Sequence, residues 1–211
     1  MSKKKRIGFF GGSFDPIHLG HLHLALQMLE IHQLDQVYFC PASQSPHKKE
    51  TPPQADKEHR RAMVVAAIAP IPVFTFLDLE IQRNSHSYTI DTIRDLLARD
   101  EKEKIKKEYH LILGEDALQN FHLWKEFEEL IHLAPPLIGS RAKAKDFLPK
   151  NLPAPVAAAL KKGLTPIPLI EISSTDVRSR LGQGLYCGHL LPAKVWEYIV
   201  QNKLYNWRDK T

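Results

Sequence analysis

Two glycines and three histidines near the start of the chain have the types and spacing for phosphate chemistry. Gly11 and Gly12 end an apolar stretch, and His18, His21 and His23 follow shortly after them. Glycine lets a backbone come close to a ligand, and a helix N-terminus offers unpaired N–H groups and a positive dipole end. An imidazole donates hydrogen bonds to phosphate when neutral and adds charge when protonated. Because His18 and His21 are three residues apart, they share one helix face, and we expect this segment to bind a phosphate.

The residues alone leave two other interpretations of these histidines open. They could simply lie on a solvated helix face. They could also bind a metal, but His23 is two residues from His21 and points to another face of a helix. Cys40 and Cys187 are far apart in sequence and form no motif. We therefore expect no metal site built from protein side chains.

A second anion site is predicted where hydroxyls and an arginine gather near residue 174. Ser173 and Asp176 have the spacing of a capping box, which marks the start of a helix. Ser174 and Arg178 would then lie in its first turns, next to unpaired N–H groups. A plain capped helix accounts for the same residues, so both interpretations stay open at this point.

Alternating strands and helices must position these segments. Apolar stretches typical of strands occur at residues 5–10, 37–40, 73–77, 109–113, 136–139 and 166–172. Helical patterns occur at residues 18–33, at 56–69 with Asp56 as N-cap, at 89–99, at 116–132 with a break near Trp124, at 177–181 and at 192–203. This alternation predicts an α/β fold, a Rossmann-like doubly wound parallel sheet with helices on both faces, plus a small C-terminal helical part.

The predicted sheet also indicates where a ligand would bind. In such sheets, ligands bind at the carboxyl ends of the strands, near the topological switch point. The glycine pair directly follows the first strand and therefore lies at that edge. We expect residues 1–211 to form a single domain, with a surface excursion at residues 147–163, which contain prolines and an alanine-rich helix.

Composition limits the function classes. The chain is 43% hydrophobic and 25% charged, and it has no apolar run near the roughly 20 residues of a membrane span, so we expect no membrane partner. Two cysteines form no disulfide framework, which favours a reducing cytoplasm. The net charge of +5 suits anionic ligands, but the sequence lacks the stripe of Lys, Arg and aromatic residues typical of nucleic-acid readers. We expect no nucleic-acid partner, and a homo-oligomer is left open.

Five ordered motifs resemble those of one enzyme family. GGSFDPIHLGH, residues 11–21, resembles the signature of the nucleotidylyltransferase superfamily with its HxGH motif, and ISSTDVR at 172–178 is similar to its triphosphate-binding stretch. PHK at 46–48, SYTIDT at 87–92 and a GxD…W pattern at 114–124 resemble motifs of the bacterial nicotinate-nucleotide adenylyltransferases. The resemblance continues through the final LLPAKVWEYIVQNKLY. The related phosphopantetheine adenylyltransferases share the HxGH turn but neither SYTIDT nor this tryptophan placement.

This resemblance implies transfer of the adenylyl group of ATP to nicotinate mononucleotide, which yields nicotinate adenine dinucleotide and pyrophosphate in NAD biosynthesis. It implies direct in-line attack with no covalent enzyme intermediate, because the acceptor phosphate is already a nucleophile. Catalysis would rest on positioning and charge stabilisation, with Mg²⁺ bound mainly through the ATP phosphates. The alternatives are an adenylyltransferase acting on nicotinamide mononucleotide or another phosphate acceptor, and a non-enzymatic nucleotide- or RNA-binding protein.

The resemblance also implies roles for individual residues. Those implied in catalysis are His18, His21, Lys48 and Arg178. Those implied in ATP binding are Gly11, Gly12, Ser13, Phe14, His18, Gly20, His21, Gly114, Asp116, Ile172, Ser173, Ser174 and Arg178. Those implied in nicotinate mononucleotide binding are Ser13, Lys48, Tyr88, Thr89, Trp124 and Arg141. Trp124 would stack on the pyridine ring, with Tyr88 and Thr89 at its carboxylate end. The chain has Lys125 where many relatives have a tyrosine of the nicotinate pocket, which leaves the strength of its preference for the acid over the amide open.

Overall fold

Six parallel strands form one sheet within the part of the chain that the structure describes. The computed structural model describes residues 4–43, 52–83, 86–140, 152–168 and 170–208. The strands are β1 Lys5–Gly12, β2 Gln36–Pro41, β3 Phe74–Phe76, β4 Lys107–Gly114, β5 Pro136–Ser140 and β6 Leu164–Pro166. Their order is β3-β2-β1-β4-β5-β6, and every neighbouring pair is parallel. The chain winds outwards from β1 on one side and from β4 on the other, so the topological switch point lies between these two strands.

Helices cover both faces of the sheet, which confirms the doubly wound α/β prediction. They are α1 Leu19–Ile31, α2 Lys57–Ile68, α3 Thr89–Glu103, α4 Glu115–Leu118, α5 Phe127–Leu133, α6 Ala154–Gly163, α7 Ser174–Gly182 and α8 Ala193–Gln201, with 3-10 helices at Phe121–Leu123 and Leu204–Asn206. Helices α1, α2, α7 and α8 pack in one hydrophobic cluster, here called the α1 face, and α3, α5 and α6 pack in a second, the α3 face. Strand side chains alternate between them: Phe10 lies in the α1 face and Phe9 in the α3 face.

The helix starts and breaks expected from the sequence are confirmed. Asp56 is the N-cap of α2, and its Oδ1 accepts a hydrogen bond from the backbone N–H of His59 at 2.9 Å. Ser173 is the N-cap of α7, as expected: its Oγ accepts from the N–H of Asp176 at 3.0 Å and donates to the carboxylate of Asp176 at 2.6 Å, although the second, reciprocal bond of a capping box is not among its contacts. The break near Trp124 separates the first 3-10 helix from α5, and Trp124 has extended backbone angles. Among the described residues, no helix is long and apolar enough to cross a membrane.

The strand predicted at residues 166–172 is wrong. The strand β6 ends at Pro166, and the described residues after it contain no strand before α7. Ile167 still donates its backbone N–H to the carbonyl oxygen of Ser140 at 3.0 Å. Ser140 is the last residue of β5, so the ladder between the two strands ends there. Ile167 and Ile172 instead pack their side chains against the α1 face.

Two smaller differences bear on the site and on the edge of the sheet. The first strand includes Gly11 and Gly12, which pair with the last two residues of β2, so the glycines are the last residues of the strand rather than a turn that follows it. The helical part of the predicted surface excursion is α6, whose Val156 and Leu160 are fully buried in the α3 face. Residues 147–151 lie outside the described residues.

Candidate active site

Residues 11–18, here called the glycine turn, lead from the end of β1 to the start of α1 and lie at the topological switch point. The strand β1 ends at Gly12 and its neighbour β4 ends at Gly114, so both strands at the switch point end in glycine. Asp116 follows in α4, and its Oδ1 lies 2.6 Å from the position that a Cβ on Gly114 would take. A larger residue at position 114 would therefore displace the Asp116 carboxylate. The structure thus places the exposed Asp116 at the same edge as the glycine turn.

His18 and His21 form a stacked pair at the start of α1, which confirms that they share a face. Their ring centroids are 3.7 Å apart and their planes differ by 27°. His18 is the N-cap of α1, and its backbone N–H donates to Nδ1 of His21 at 3.2 Å. A neutral His21 whose Nδ1 accepts a hydrogen bond carries its proton on Nε2, so Nε2 is a donor. The buried Phe14 ring packs edge-on against His21, with centroids 5.1 Å apart, and supports it from the core.

His18 is buried and uncharged at neutral pH. It is 5% exposed, and its Nδ1 has no hydrogen-bond partner within the described structure. Burial lowers the pKa of His18 to about 4, because the imidazolium form would lose its hydration. Gly20 makes room for this ring, since a Cβ there would lie 3.1 Å from His18 Nδ1 and 3.3 Å from the carbonyl oxygen of Ile170. His23 lies apart from the His18–His21 pair, as expected, and its Nε2 is hydrogen-bonded to the carbonyl oxygen of Pro168.

The start of α7 docks on the turn between β1 and α1. Ser174 Oγ donates to the carbonyl oxygen of Pro16 at 2.9 Å. Arg178 Nη1 donates to the carbonyl oxygen of Asp15 at 2.7 Å. The two predicted anion-binding segments are far apart in sequence but meet at residues 13–18, which precede α1.

A buried carboxylate that sequence reasoning missed lies at the centre of this turn. Asp15 is 3% exposed. Its oxygens accept hydrogen bonds from the backbone N–H groups of Gln54 at 2.8 Å and Ala55 at 3.1 Å, and from the hydroxyl of Tyr205 at 2.9 Å. Arg178 Nη1 lies 3.6 Å from its Oδ2. Asp15 stands inside the GGSFDPIHLGH segment, but the pattern of neighbouring residues gives no sign of these partners.

A buried arginine, also missed from the sequence, ties the ends of β1 and β2 together. Arg60 of α2 is 1% exposed and donates to the carbonyl oxygens of Ser13 at 2.8 Å, Ala42 at 2.7 Å and Ser43 at 3.1 Å. The sequence did contain a signal, because Arg60 lies three residues before the apolar Met63 and therefore on the buried face of the helix. Arg60 fixes the backbone on which the glycine turn leaves the sheet.

Three of the residues predicted to bind the pyridine nucleotide, Tyr88, Thr89 and Trp124, lie towards the other face of the sheet, whereas Ser13 directly follows β1. Tyr88 and Trp124 both pack against the α3 face. Tyr88 is the N-cap of α3, and Thr89 is its first residue. Lys125 Nζ lies 5.0 Å from the centroid of the Tyr88 ring and pairs with the Asp91 carboxylate at 2.9 and 3.1 Å. Lys125 therefore links the segment that carries Trp124 to the first turn of α3.

Other side chains of the SYTIDT segment make structural contacts. Ser87 Oγ accepts a hydrogen bond from the backbone N–H of Ser43 at 3.0 Å. Thr92 is fully buried, and its hydroxyl donates to Glu80 at 2.9 Å and accepts from Arg83 at 2.8 Å. Burial raises the pKa of the Glu80 carboxyl, against the effect of these partners. The Ser87 bond joins the start of α3 to the end of β2, and the Thr92 bonds join α3 to the segment that follows β3.

Two of the predicted site residues, Lys48 and Arg141, lie outside the described residues, and their roles stay predictions. The predicted ATP-binding residues of the glycine turn, α1, α7 and the end of β4 lie around the switch point, whereas Tyr88, Thr89 and Trp124 lie on the α3 face.

Comparison with known proteins identifies the family. A sequence model described as cytidylyltransferase-like matches residues 9–180. A probable nicotinate-nucleotide adenylyltransferase of Clavibacter michiganensis subsp. michiganensis is 39% identical over 200 residues, which cover 95% of this chain and 94% of the relative. Another, of Synechococcus sp. strain JA-2-3B'a(2-13), is 36% identical over 203 residues, which cover 96% of this chain and 98% of the relative.

Solved structures share the fold. The Plasmodium falciparum nicotinic acid mononucleotide adenylyltransferase complexed with NaAD matches with a TM-score of 0.73 at 21% identity, covering 97% of this chain and 98% of that one. Its complex with APC matches with a TM-score of 0.71 at 20% identity. At these identities the structures show the fold, and the family follows from the sequence matches. This chain belongs to the cytidylyltransferase-like family and, within it, to the nicotinate-nucleotide adenylyltransferases.

Proposed function

We propose that this chain transfers the adenylyl group of ATP directly to the phosphate of nicotinate mononucleotide, forming nicotinate adenine dinucleotide and releasing pyrophosphate. This is the step in NAD biosynthesis for which its relatives are named. The observation that carries the proposal is the meeting of the His18–His21 pair and the N-terminus of α7 on one turn at the switch point. Two groups suited to phosphate are thus held together at the edge where sheets of this kind bind ligands.

The two anion-binding segments divide the ATP phosphates between them. His18 and His21 would contact the α-phosphate and stabilise the charge that develops there. Because His18 stays neutral at pH 7, its contribution is a hydrogen bond rather than a positive charge. Positive charge comes from Arg178 and from the dipole of α7, which with Ser174 would hold the β- and γ-phosphates. Asp116 would bind the adenosine side, at the ribose.

The acceptor nucleotide would lie towards the α3 face. Trp124 would stack on the pyridine ring, with Tyr88 and Thr89 at its carboxylate. Lys125 supports an acid substrate, because its ammonium group lies over the ring of Tyr88, the residue proposed to contact the substrate carboxylate. Asp91 neutralises part of that positive charge. The acceptor phosphate is already anionic and nucleophilic, so the reaction needs positioning rather than a general base or a covalent intermediate.

Mg²⁺ would be bound through the ATP phosphates. Within the described residues, no group of three His, Cys, Asp or Glu side chains could hold a metal ion. Arg178 and Ser174 at the start of α7 suit phosphate oxygens rather than a cation. The residues present therefore fit an ion that keeps phosphate and water oxygens as its ligands, where it neutralises phosphate charge.

The proposed setting of the reaction is the cytoplasm. Cys40 and Cys187 are both free, buried thiols, which supports a reducing compartment. The proposed partners are ATP and nicotinate mononucleotide, with neither nucleic acid nor a membrane involved. The proposal is independent of whether the chain forms a homo-oligomer.

The test is pyrophosphate release from ATP and Mg²⁺, with nicotinate mononucleotide or nicotinamide mononucleotide as acceptor. We expect strong preference for the acid, and we expect His18→Ala to lower kcat by roughly 100-fold or more, as loss of a transition-state donor does. The matched control is His132→Ala, which removes an exposed histidine at the end of α5 and should leave kcat within about twofold. Preference for the amide would move the substrate to nicotinamide mononucleotide. No release with either acceptor would contradict the proposal.

A further inference from the structure

Asp15 of the glycine turn is hydrogen-bonded to a tyrosine near the C-terminal end of the described residues. The hydroxyl of Tyr205 donates to Asp15 Oδ1 at 2.9 Å across a sequence separation of 190 residues. Tyr205 lies in the 3-10 helix after α8 and is 7% exposed. Asp15 immediately precedes the residues that lead into His18. A distant segment therefore contacts the site that we propose for ATP.

The backbone around Tyr205 adopts a conformation that few residues take. Lys203, Tyr205 and Asn206 have φ angles of 50°, 58° and 58°, in the left-handed region that disfavours residues with a Cβ. Burial and the Asp15 carboxylate both raise the pKa of Tyr205, so its hydroxyl keeps its proton and remains a donor. The surrounding structure holds the chain in this strained form with the hydroxyl on Asp15.

Asp15 is also the group that faces Arg178. Arg178 Nη1 donates to the carbonyl oxygen of Asp15 at 2.7 Å and lies 3.6 Å from its carboxylate. The backbone N–H groups of Gln54 and Ala55 and the hydroxyl of Tyr205 occupy three acceptor positions of that carboxylate. Tyr205 and Ala55 bond to Oδ1, and Gln54 bonds to Oδ2, the oxygen that faces Arg178. These bonds fix the orientation of the carboxylate and hold Oδ2 3.6 Å from the guanidinium.

We propose that Tyr205 is a positioning residue for adenylyl transfer, which acts through Asp15 to keep Arg178 and residues 13–18 in place for the ATP phosphates. This inference rests on the proposed function. Loss of the hydroxyl leaves an acceptor position of Asp15 open. The carboxylate can then turn towards Arg178 and bind it more closely, which removes charge from the phosphates. The effect should fall on ATP rather than on nicotinate mononucleotide, whose proposed site lies towards the α3 face.

The test compares two phenylalanine substitutions in the C-terminal part of the chain. Tyr205→Phe removes the hydroxyl that bonds to Asp15. The control, Tyr198→Phe, removes a hydroxyl that lies 3.0 Å from Nδ1 of His59. We measure the Kd of Mg²⁺–ATP by titration calorimetry, KM for both substrates, kcat and Tm. For Tyr205→Phe we expect Kd and KM for ATP to rise about fivefold, while KM for nicotinate mononucleotide stays within about twofold of the wild-type value. For Tyr198→Phe we expect Kd and both KM values to stay within about twofold of the wild-type values.

A double-mutant cycle tests the route through Arg178. If Tyr205 acts through this arginine, Tyr205→Phe should change ATP affinity less in an Arg178→Lys background than in the wild type. An unchanged Kd and KM for ATP in Tyr205→Phe, with only a lower Tm, would show a purely structural contact and overturn the proposal. Equal effects in both backgrounds would overturn the route through Arg178. Calorimetry measures ATP binding without turnover, so the two proposals can fail separately. Wild-type protein that binds Mg²⁺–ATP but forms no product would refute the proposed function. The role of Tyr205 in ATP binding would then still be decided by the Kd values.

Discussion

Acid should destabilise this protein through His18. In the folded chain, burial lowers the pKa of His18 from its ordinary value of 6.5 to about 4. Between these two values the unfolded chain binds a proton at this histidine and the folded chain does not. Stability contributed by the neutral, buried ring is therefore present above about pH 6.5 and is lost as the pH falls towards 4.

The size of this effect follows from the pKa difference. One unit of pKa difference corresponds to about 1.4 kcal/mol. The linkage relation then gives a loss of about 2 kcal/mol at pH 5 and about 3 kcal/mol at pH 4, against almost none at pH 7. Burial also lowers the pKa values of His32 and His110, so the whole protein should lose more stability than His18 alone explains.

The assay isolates His18 by difference. Urea unfolding of the wild type and of His18→Asn is measured from pH 7 to pH 4.5, and the free energies of unfolding are subtracted at each pH. The contributions of His32 and His110 cancel, because both proteins contain them. We expect the advantage of the wild type over the variant to shrink by about 2 kcal/mol as the pH falls to 5. A difference that stays constant with pH would refute the buried, neutral state of His18.

Two further pairs of substitutions test the contacts that support the site. Arg60→Met should lower the free energy of unfolding by about 3–5 kcal/mol, since three carbonyl oxygens lose their buried donor, whereas Arg61→Met, next to it but exposed, should cost less than about 1 kcal/mol. Equal losses in urea unfolding would contradict the role given to Arg60. Lys125→Met should lower the acid-to-amide ratio of kcat/KM about fivefold, and Asp91→Asn should raise it by freeing the ammonium charge. Ratios unchanged in both variants would show that Lys125 lies outside the recognition of the carboxylate.

The sequence predicted elements wherever the local pattern decides the structure. Asp56 and Ser173 are followed by amphipathic turns, and both cap the helices expected from them. The stretch around Ile167 is apolar, but its neighbour β5 ends at Ser140, and the strand ends with it although its apolar residues suggested a longer one. The local pattern therefore predicted helices correctly where capping and periodicity agree, and it was wrong where the length of a strand depends on its neighbour in the sheet.

Much of the support around the site could not be predicted, because it depends on contacts between distant segments. The spacing of His18 and His21 predicted a shared face, and the two rings are stacked. Nothing in the local sequence shows that Tyr205 reaches Asp15, because their separation becomes short only after the C-terminal part packs on the sheet. Arg60 is intermediate, since its position on the apolar face of α2 indicates burial but not its three carbonyl partners.

The central claim is direct transfer to the acceptor phosphate in the crevice at the switch point, and the stereochemical course at the α-phosphorus tests it most directly. ATP made chiral by a sulfur at the α-phosphate is converted with nicotinate mononucleotide, and the configuration of the dinucleotide is read by phosphorus NMR. A single in-line displacement between the histidine pair and α7 predicts inversion. Retention would require two displacements and hence an adenylyl group bound covalently to the protein, which would contradict the account.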